Sequence, residues 1–402
     1  MKDSNFSGQP VFSQIMKLIP KNLVLSLSRQ NGGERYVKKF DAYQHLLVLL
    51  FSVMEQYKSI NQILLGLEAE SRRLVHAGLT EIPKRSTFAD ANGRRPAAIF
   101  ERLYHELHKK YEHCLADSRD YFWSKRLYVM DSTTVSLFTD VMKGAGRNPK
   151  LGKKKGGVKA HTVMKDSSGA PEFVIVTPAA KHDSTELKKV KLPSESFLAI
   201  DRAYIDYKLF ESFSKKKTTY VTRMKKNLKY DHVSDNPVSD NILRDENVQF
   251  HFVSRKKERV HRARIVEHYV DETGKTWRLL TNNNELPAKE IVEIYRRRWQ
   301  IETFYRSLKQ NFPLHFFYGD SENAIRIQIW IVMIANLLTA IVRAQTKRKL
   351  SFSSTVLLIR QCATYYVDLY KLLESPIKAV RDAYVGGLAP PQSQQSFLSQ
   401  LN

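Results

Sequence analysis

Cysteine is almost absent: only Cys114 and Cys362 occur in 402 residues. They are far apart, without metal-ligand spacing, and read as reduced thiols rather than a disulfide framework. Long apolar runs are also lacking. The longest, Ile327 to Val342, is shorter than a bilayer span and carries Gln328 and Asn336, so it predicts a buried helix rather than a membrane crossing. The first residues, Met1-Lys-Asp-Ser, have no apolar core of a signal peptide. The expectation is a soluble cytoplasmic protein with no membrane partner and no internal repeat. Acidic residues are outnumbered, 41 against 65 basic ones, for a formal charge of +24. An excess spread along the chain favours a polyanionic partner through counterion release, although membrane surfaces and acidic proteins could use it as well. The length suffices for two or three domains, each with its own core.

What is present begins with helices. Residues 11–115 carry helical periodicity, predicting helices over 11–18, 42–55, 59–67, 70–77 and 96–115. Between the last two, Ser86 or Thr87 can cap a short helix bracketed by Lys84, Arg85, Arg94 and Arg95. That pattern suits either a helix-turn-helix-like element or a solvated basic loop.

Two apolar strands then each meet one acid. In Leu127-Tyr-Val-Met-Asp131-Ser-Thr-Thr-Val-Ser-Leu137 a carboxylate interrupts a β-rich run; a metal ion would compensate it, and so would a turn that it caps. Ser196-Phe-Leu-Ala-Ile-Asp201 repeats the pattern, while Asp206 is placed to cap a helix over 207–215. Between them, the Gly- and Lys-rich stretch 143–157 is either a linker or a phosphate clamp. Residues 157–164 and 172–177 form hairpin strands, with Lys159 and His161 on one face. His182 and Asp183 open a helix, Asp183 as its cap, and 218–222 is a further strand. Residues 223–287 exceed the needs of a connection and alternate polar with apolar, predicting a β-rich insertion. Its Trp277 reads as a core aromatic of a strand.

A Gly- and Pro-free run from Ala288 to Asn311 predicts one helix. At about 100° per residue, Tyr295, Arg298, Glu302 and Lys309 share an arc of about 60°, beside an apolar arc with Ile294, Ile301, Phe304, Tyr305 and Leu308. This is either a solvated charged edge or a carboxylate set to hold a metal while its neighbours hold phosphates. An apolar helix over 323–345, a helix over 353–373 and a polar, disordered tail over 387–402 complete the chain.

Tyr295-x2-Arg298-x3-Glu302-x6-Lys309 resembles, at every position, the signature of the IS-four family of insertion-sequence transposases. Phe12-Ser-Gln-Ile-Met-Lys-Leu-Ile-Pro20, Lys38-Lys-Phe-Asp41 and Arg85-Ser-Thr-Phe-Ala-Asp-Ala-Asn92 are also similar to that family. The second carboxylate departs from its usual Asp-x-Gly-Tyr, with Ala203 in place of the glycine. The resemblance implies an α/β fold: an RNase H-like catalytic core interrupted by a β-rich insertion, preceded by an all-α N-terminal DNA-binding domain. The implied boundaries are 1–120 for the DNA-binding domain, 121–222 and 288–345 for the two parts of the core, 223–287 for the insertion, and 346–402 for a helical segment and tail. It further implies that Asp131, Asp201 and Glu302 are catalytic and hold two Mg²⁺ ions, replaceable by Mn²⁺. DNA contacts would fall to Tyr295, Arg298, Lys309, Trp277, Lys159, His161, Arg85, Arg94 and Arg95. The partners would be double-stranded terminal inverted repeats and target DNA, bound by a homodimer that cuts and joins strands through a hairpin. The alternatives are a catalytically silent DNA-binding repressor or domesticated transposase derivative, and a nuclease that does not join strands.

Overall fold

A computed structural model describes residues 8–115, 121–136, 157–167, 169–178, 183–225, 227–254, 256–314, 316–348 and 350–385. Its chain forms two compact units, 116–306 and a second made from 1–115 with 307–402. Most of the Gly- and Lys-rich stretch, His182 and the polar tail lie outside the described residues.

The 116–306 unit is built on a nine-stranded sheet in the order β3-β2-β1-β4-β5-β9-β8-β7-β6. The strands are β1 Leu127–Ser136, β2 Gly157–Lys165, β3 Ala170–Pro178, β4 Phe197–Ile200, β5 Thr219–Arg223, β6 Asp231–Asp235, β7 Ile242–Ser254, β8 Lys257–Val270 and β9 Lys275–Thr281. Strands β1, β4 and β5 are parallel neighbours, and every other pairing is antiparallel. The apolar runs of β1 and β4 are apolar on both faces because both faces are covered. Leu127, Val129, Phe197 and Ala199 meet Ile291, Ile294, Ile301 and Tyr305 on one side. Tyr128, Met130, Leu198 and Ile200 meet Phe210 and Phe213 on the other. Among the described residues, four α-helices serve this unit: α7 Asp183–Leu187, α8 Tyr207–Lys215, α9 Ala288–Arg297 and α10 Trp299–Asn311, the last running past Arg306.

The expected insertion is β-rich, and its strands continue the same sheet, with β9 paired to β5. The exposed strand β6 escaped sequence reading because all five of its residues face solvent and give no apolar alternation. The single helix expected over 288–311 is two, interrupted at Arg298, where the bonds Arg298 N to Tyr295 O and Ile301 N to Arg298 O tighten the turn.

The other unit is helical: α1 Val11–Met16, α2 Lys21–Gln30, α3 Ala42–Met54, α4 Ile60–Leu74, α5 Arg85–Arg94, α6 Ala98–Leu115, α11 Glu322–Ala344, α12 Phe352–Gln361, α13 Leu369–Glu374 and α14 Pro376–Val385. All residues of α3 are buried, and α11 packs against α3, α5, α6 and α12. The 23 residues of α11 are long and apolar enough to cross a bilayer, but 83% of the apolar window is buried within the protein, as a core helix requires. Residues 307–345, expected with the catalytic core, therefore cluster with the N-terminal helices, whose apolar faces they cover. Helix α2 was not anticipated, α4 merges two expected helices, and the helix expected over 353–373 is broken after Gln361. Asp41, Ser59, Ser321, Ser351 and Asp368 cap their helices with side-chain oxygens.

Candidate active site

Parallel register carries the first two carboxylates to one level. Leu127 through Met130 pair with Phe197 through Ile200, so Asp131 and Asp201 follow at equivalent points on neighbouring strands, about 4.8 Å apart in the pairing direction. The period-2 pleat assigns both to the face that carries Val129 and Ala199, the face covered by α9 and α10. Locally, Asp201 Oδ1 accepts from Ala203 N at 2.9 Å and caps the short 3₁₀ turn Arg202–Tyr204. A backbone N–H serves here, so alanine does at 203 what glycine would. Asp206 caps α8 as expected, through Leu209 N.

Arg298, at the break between α9 and α10, joins the site from the helical side. Its Nη1 donates to Asp131 Oδ2 at 3.0 Å and its Nη2 to Glu302 Oε1 at 2.7 Å, so one guanidinium bridges two acids far apart in sequence. Tyr305, one turn beyond Glu302, donates its hydroxyl toward Asp131 O at 3.0 Å and Ala160 O at 3.2 Å, pinning α10 to β1 and β2. Asp131 Oδ1 accepts from Ser132 N at 2.7 Å. Burial pushes the Asp131 carboxyl up to about 6; Asp201 and Glu302 push the same way, and the Ser132 N–H and Arg298 oppose them. Burial works against the charge of Arg298, but Tyr295, Glu302 and Asp131 together raise its pKa above the ordinary guanidinium value. Burial also raises the pKa of Tyr295 and of Tyr305.

An aromatic and cationic chain leads away from this cluster. The Arg298 guanidinium lies 5.5 Å from the centre of the Tyr295 ring, Tyr295 meets Trp277 edge-on at 5.6 Å, and Arg223 lies over Trp277 at 5.7 Å. Trp277 is thus half-buried, packed between Arg223 and Tyr295. Trp299, three residues before Glu302, is 56% exposed. Sequence reading missed it, along with Tyr305, which it assigned only to the apolar face.

Other expected contacts lie elsewhere. Asp131 is opposite Thr162, so His161, opposite Ser132, and Lys159, opposite Thr134, occupy the other face of the sheet. His161 is buried, with Nδ1 at 3.1 Å from the Tyr204 hydroxyl and Nε2 at 2.9 Å from Thr177 Oγ1, as a core histidine. Lys159 is buried too. Arg95 is 1% exposed, and its Nη2 donates to Phe40 O at 2.8 Å, so it is interior rather than a DNA contact. Arg85 and Arg94 are exposed at the two ends of α5. Ser86 and Thr87 sit inside the first turn of that helix, and Lys84 holds the cap position. Lys309 lies on α10 seven residues beyond Glu302, where burial lowers its pKa. A separate grouping, His232, Asp235 and Glu246, gathers potential metal ligands on β6 and β7; Arg244 and Tyr230 already bond to Glu246 there.

Parts of the chain are similar to known proteins. Residues 7–80 match a family described as a domain of unknown function. The Sinorhizobium fredii protein y4zB, named as a transposase, is 28% identical over 272 residues, 64% of this chain and 71% of that protein. A Geobacillus stearothermophilus protein named as a transposase for the insertion sequence element IS5377 is 28% identical over 233 residues, 57% of this chain and 60% of its own length. A Synechocystis protein named as a transposase for IS4SA is 26% identical over 264 residues, 63% of this chain and 70% of that one. Among solved structures, a piggyBac transposase synaptic complex with hairpin DNA aligns over 94% of this chain and 85% of that one, with a TM-score of 0.43 and 10% identity. Residues 122–338, more than half of the chain and including Asp131, Asp201 and Glu302, match the transposase DDE domain, and the chain belongs to that family.

Proposed function

We propose that this protein is the transposase of an insertion sequence, which binds the element's terminal repeats and carries out metal-dependent strand cleavage and strand transfer. The observation that carries the reading is the convergence of Asp131 and Asp201 on adjoining parallel strands with Arg298 tying Asp131 to Glu302. Strands β3-β2-β1-β4-β5, with the last three parallel, support an RNase H-like core.

The donor set fits a hard divalent cation. It is all oxygen, partly shielded from solvent, and three carboxylates against one guanidinium leave net negative charge. Asp131, Asp201 and Glu302 would hold two Mg²⁺ ions, which supply activation of the attacking oxygen and charge neutralisation around phosphorus. The chain's own residues set the stage. The Ser132 N–H orients Asp131, Tyr305 fixes α10 against the strand, and Arg298 keeps two like charges from repelling each other apart. Trp299 presents an open ring for a base displaced near the cleavage point, while Arg85 and Arg94 offer exposed charge to the phosphate backbone. The active assembly is a homodimer on paired ends, cutting through a hairpin.

The test is purified full chain, Mg²⁺, and linear DNA carrying the element's ends. Cleavage and joining are expected, with Asp131→Ala, Asp201→Ala and Glu302→Ala each losing cleavage while retaining binding. Binding without cleavage by the wild type would replace this reading with a repressor, and cleavage without joining with a nuclease.

A further inference from the structure

Between α2 and α3 the chain makes a long loop, residues 31–41, that the helical unit holds down with interior groups. Glu34 Oε1 accepts from Ser28 Oγ at 2.6 Å and from Ala42 N at 2.9 Å. The buried Arg95 guanidinium grips Phe40 O at 2.8 Å, and Arg94 Nη1 donates to Arg35 O at 3.0 Å. Gly33 presses so closely on α6 that an added Cβ would lie 2.5 Å from Ile99 Cδ1 and from Ser28 Oγ. A buried arginine is costly unless it is bonded, and the Nη2 bond of Arg95 ties this loop to the interior.

The crest of that loop is aromatic and basic. Tyr36 is 85% exposed and holds φ at 60°, a left-handed conformation rare for a large side chain and a form of strain that collects at working surfaces. The Arg35 guanidinium lies 5.0 Å from the centre of the Tyr36 ring and donates to its hydroxyl at 3.1 Å. Lys38 is exposed beside them, and the neighbouring acid Asp90 is occupied by Arg94. The loop lies within residues 7–80, the part matched to a domain of unknown function.

We propose that this loop is a rigid DNA-contacting finger, with Arg35 and Lys38 on phosphates and the Tyr36 ring against a base or sugar. The proposal rests on the reading of the protein as one that acts on DNA. A pinned loop loses little conformational entropy on binding, and a ring flanked by cations suits a nucleic acid's stacked, anionic surface.

The experiment is fluorescence anisotropy with the full chain and a labelled duplex carrying the element's terminal repeat, across a salt series, with melting curves to verify folding. Tyr36→Ala should weaken binding about tenfold and Tyr36→Phe should restore it. Arg35→Ala with Lys38→Ala should lower the slope of log K against log salt by about 2. Folded variants with wild-type affinity and slope would overturn the finger while leaving the transposase reading intact. A wild type that binds no duplex would overturn both. Loss of self-association in Tyr36→Ala, with DNA binding unchanged, would reassign the loop to contact between copies and so overturn the proposal.

Discussion

At the scale of single residues, the site depends on one guanidinium and one hydroxyl. Arg298→Gln removes both ion pairs and leaves Asp131 and Glu302, partly shielded acids, facing each other. A fall in stability of about 2–4 kcal/mol is expected, somewhat below that for a fully buried pair. Added Mg²⁺ should raise the melting temperature of the variant by more than that of the wild type, and equal shifts would refute the bridging role. Tyr305→Phe keeps the ring but loses the bond to Asp131 O and Ala160 O, so about 1 kcal/mol of stability should go in a denaturant titration. Nicking of end-bearing DNA should slow as Glu302 loses its fixed approach to Asp131. The three acids stand out in sequence because Asp131 and Asp201 each follow a short apolar run, and because the spacing around Glu302 resembles a family signature. The roles of Arg95 and His161 do not. Whether a cationic or imidazole side chain points inward depends on strand pairing and helix packing that no local pattern encodes.

At the scale of elements, the succession of strands along the chain, β6 apart, is readable from alternation and length, while face and partner are not. Lys159 and His161 could be placed on a common face, but only the register of β2 against β1 reveals that it is the face away from Asp131. The break at Arg298 was hidden for a related reason: every residue from 288 to 311 tolerates a helix, and the tightened turn is paired with the ion bridge rather than with a Gly or Pro. On the opposite face, His261 on β8 is buried with Nε2 at 2.7 Å from the Tyr220 hydroxyl, and burial lowers its pKa from 6.5 to about 4. Because the folded value is depressed, the stability tied to neutral His261 is fully present above pH 6.5 and is lost as pH falls toward 4, where the unfolded chain takes up the proton first. The amount is about 3 kcal/mol. Urea titrations of wild type and His261→Phe across that window should show the pH slope flattened in the variant. Parallel slopes would mean that other groups carry it.

At the scale of the whole molecule, the formal charge of +24 predicts that any association with duplex DNA will depend strongly on salt. If six or more phosphates are neutralised, affinity should drop roughly 10³-fold between about 50 and 200 mM salt. A change below tenfold would mean that the charge serves another purpose. Connectivity adds a constraint of timing. The helical unit draws on residues that precede and follow the sheet in sequence, and α11, which closes over α3 and α6, is made only after the nine described strands. A ribosome that has released residues 1–320 has already delivered every described strand and the three acids, yet the apolar flank of the preceding helices still awaits its lid. Such a stalled product should be digested far faster over residues 8–115 than over its sheet, and the helical unit becomes protease-resistant only once α11 has been made.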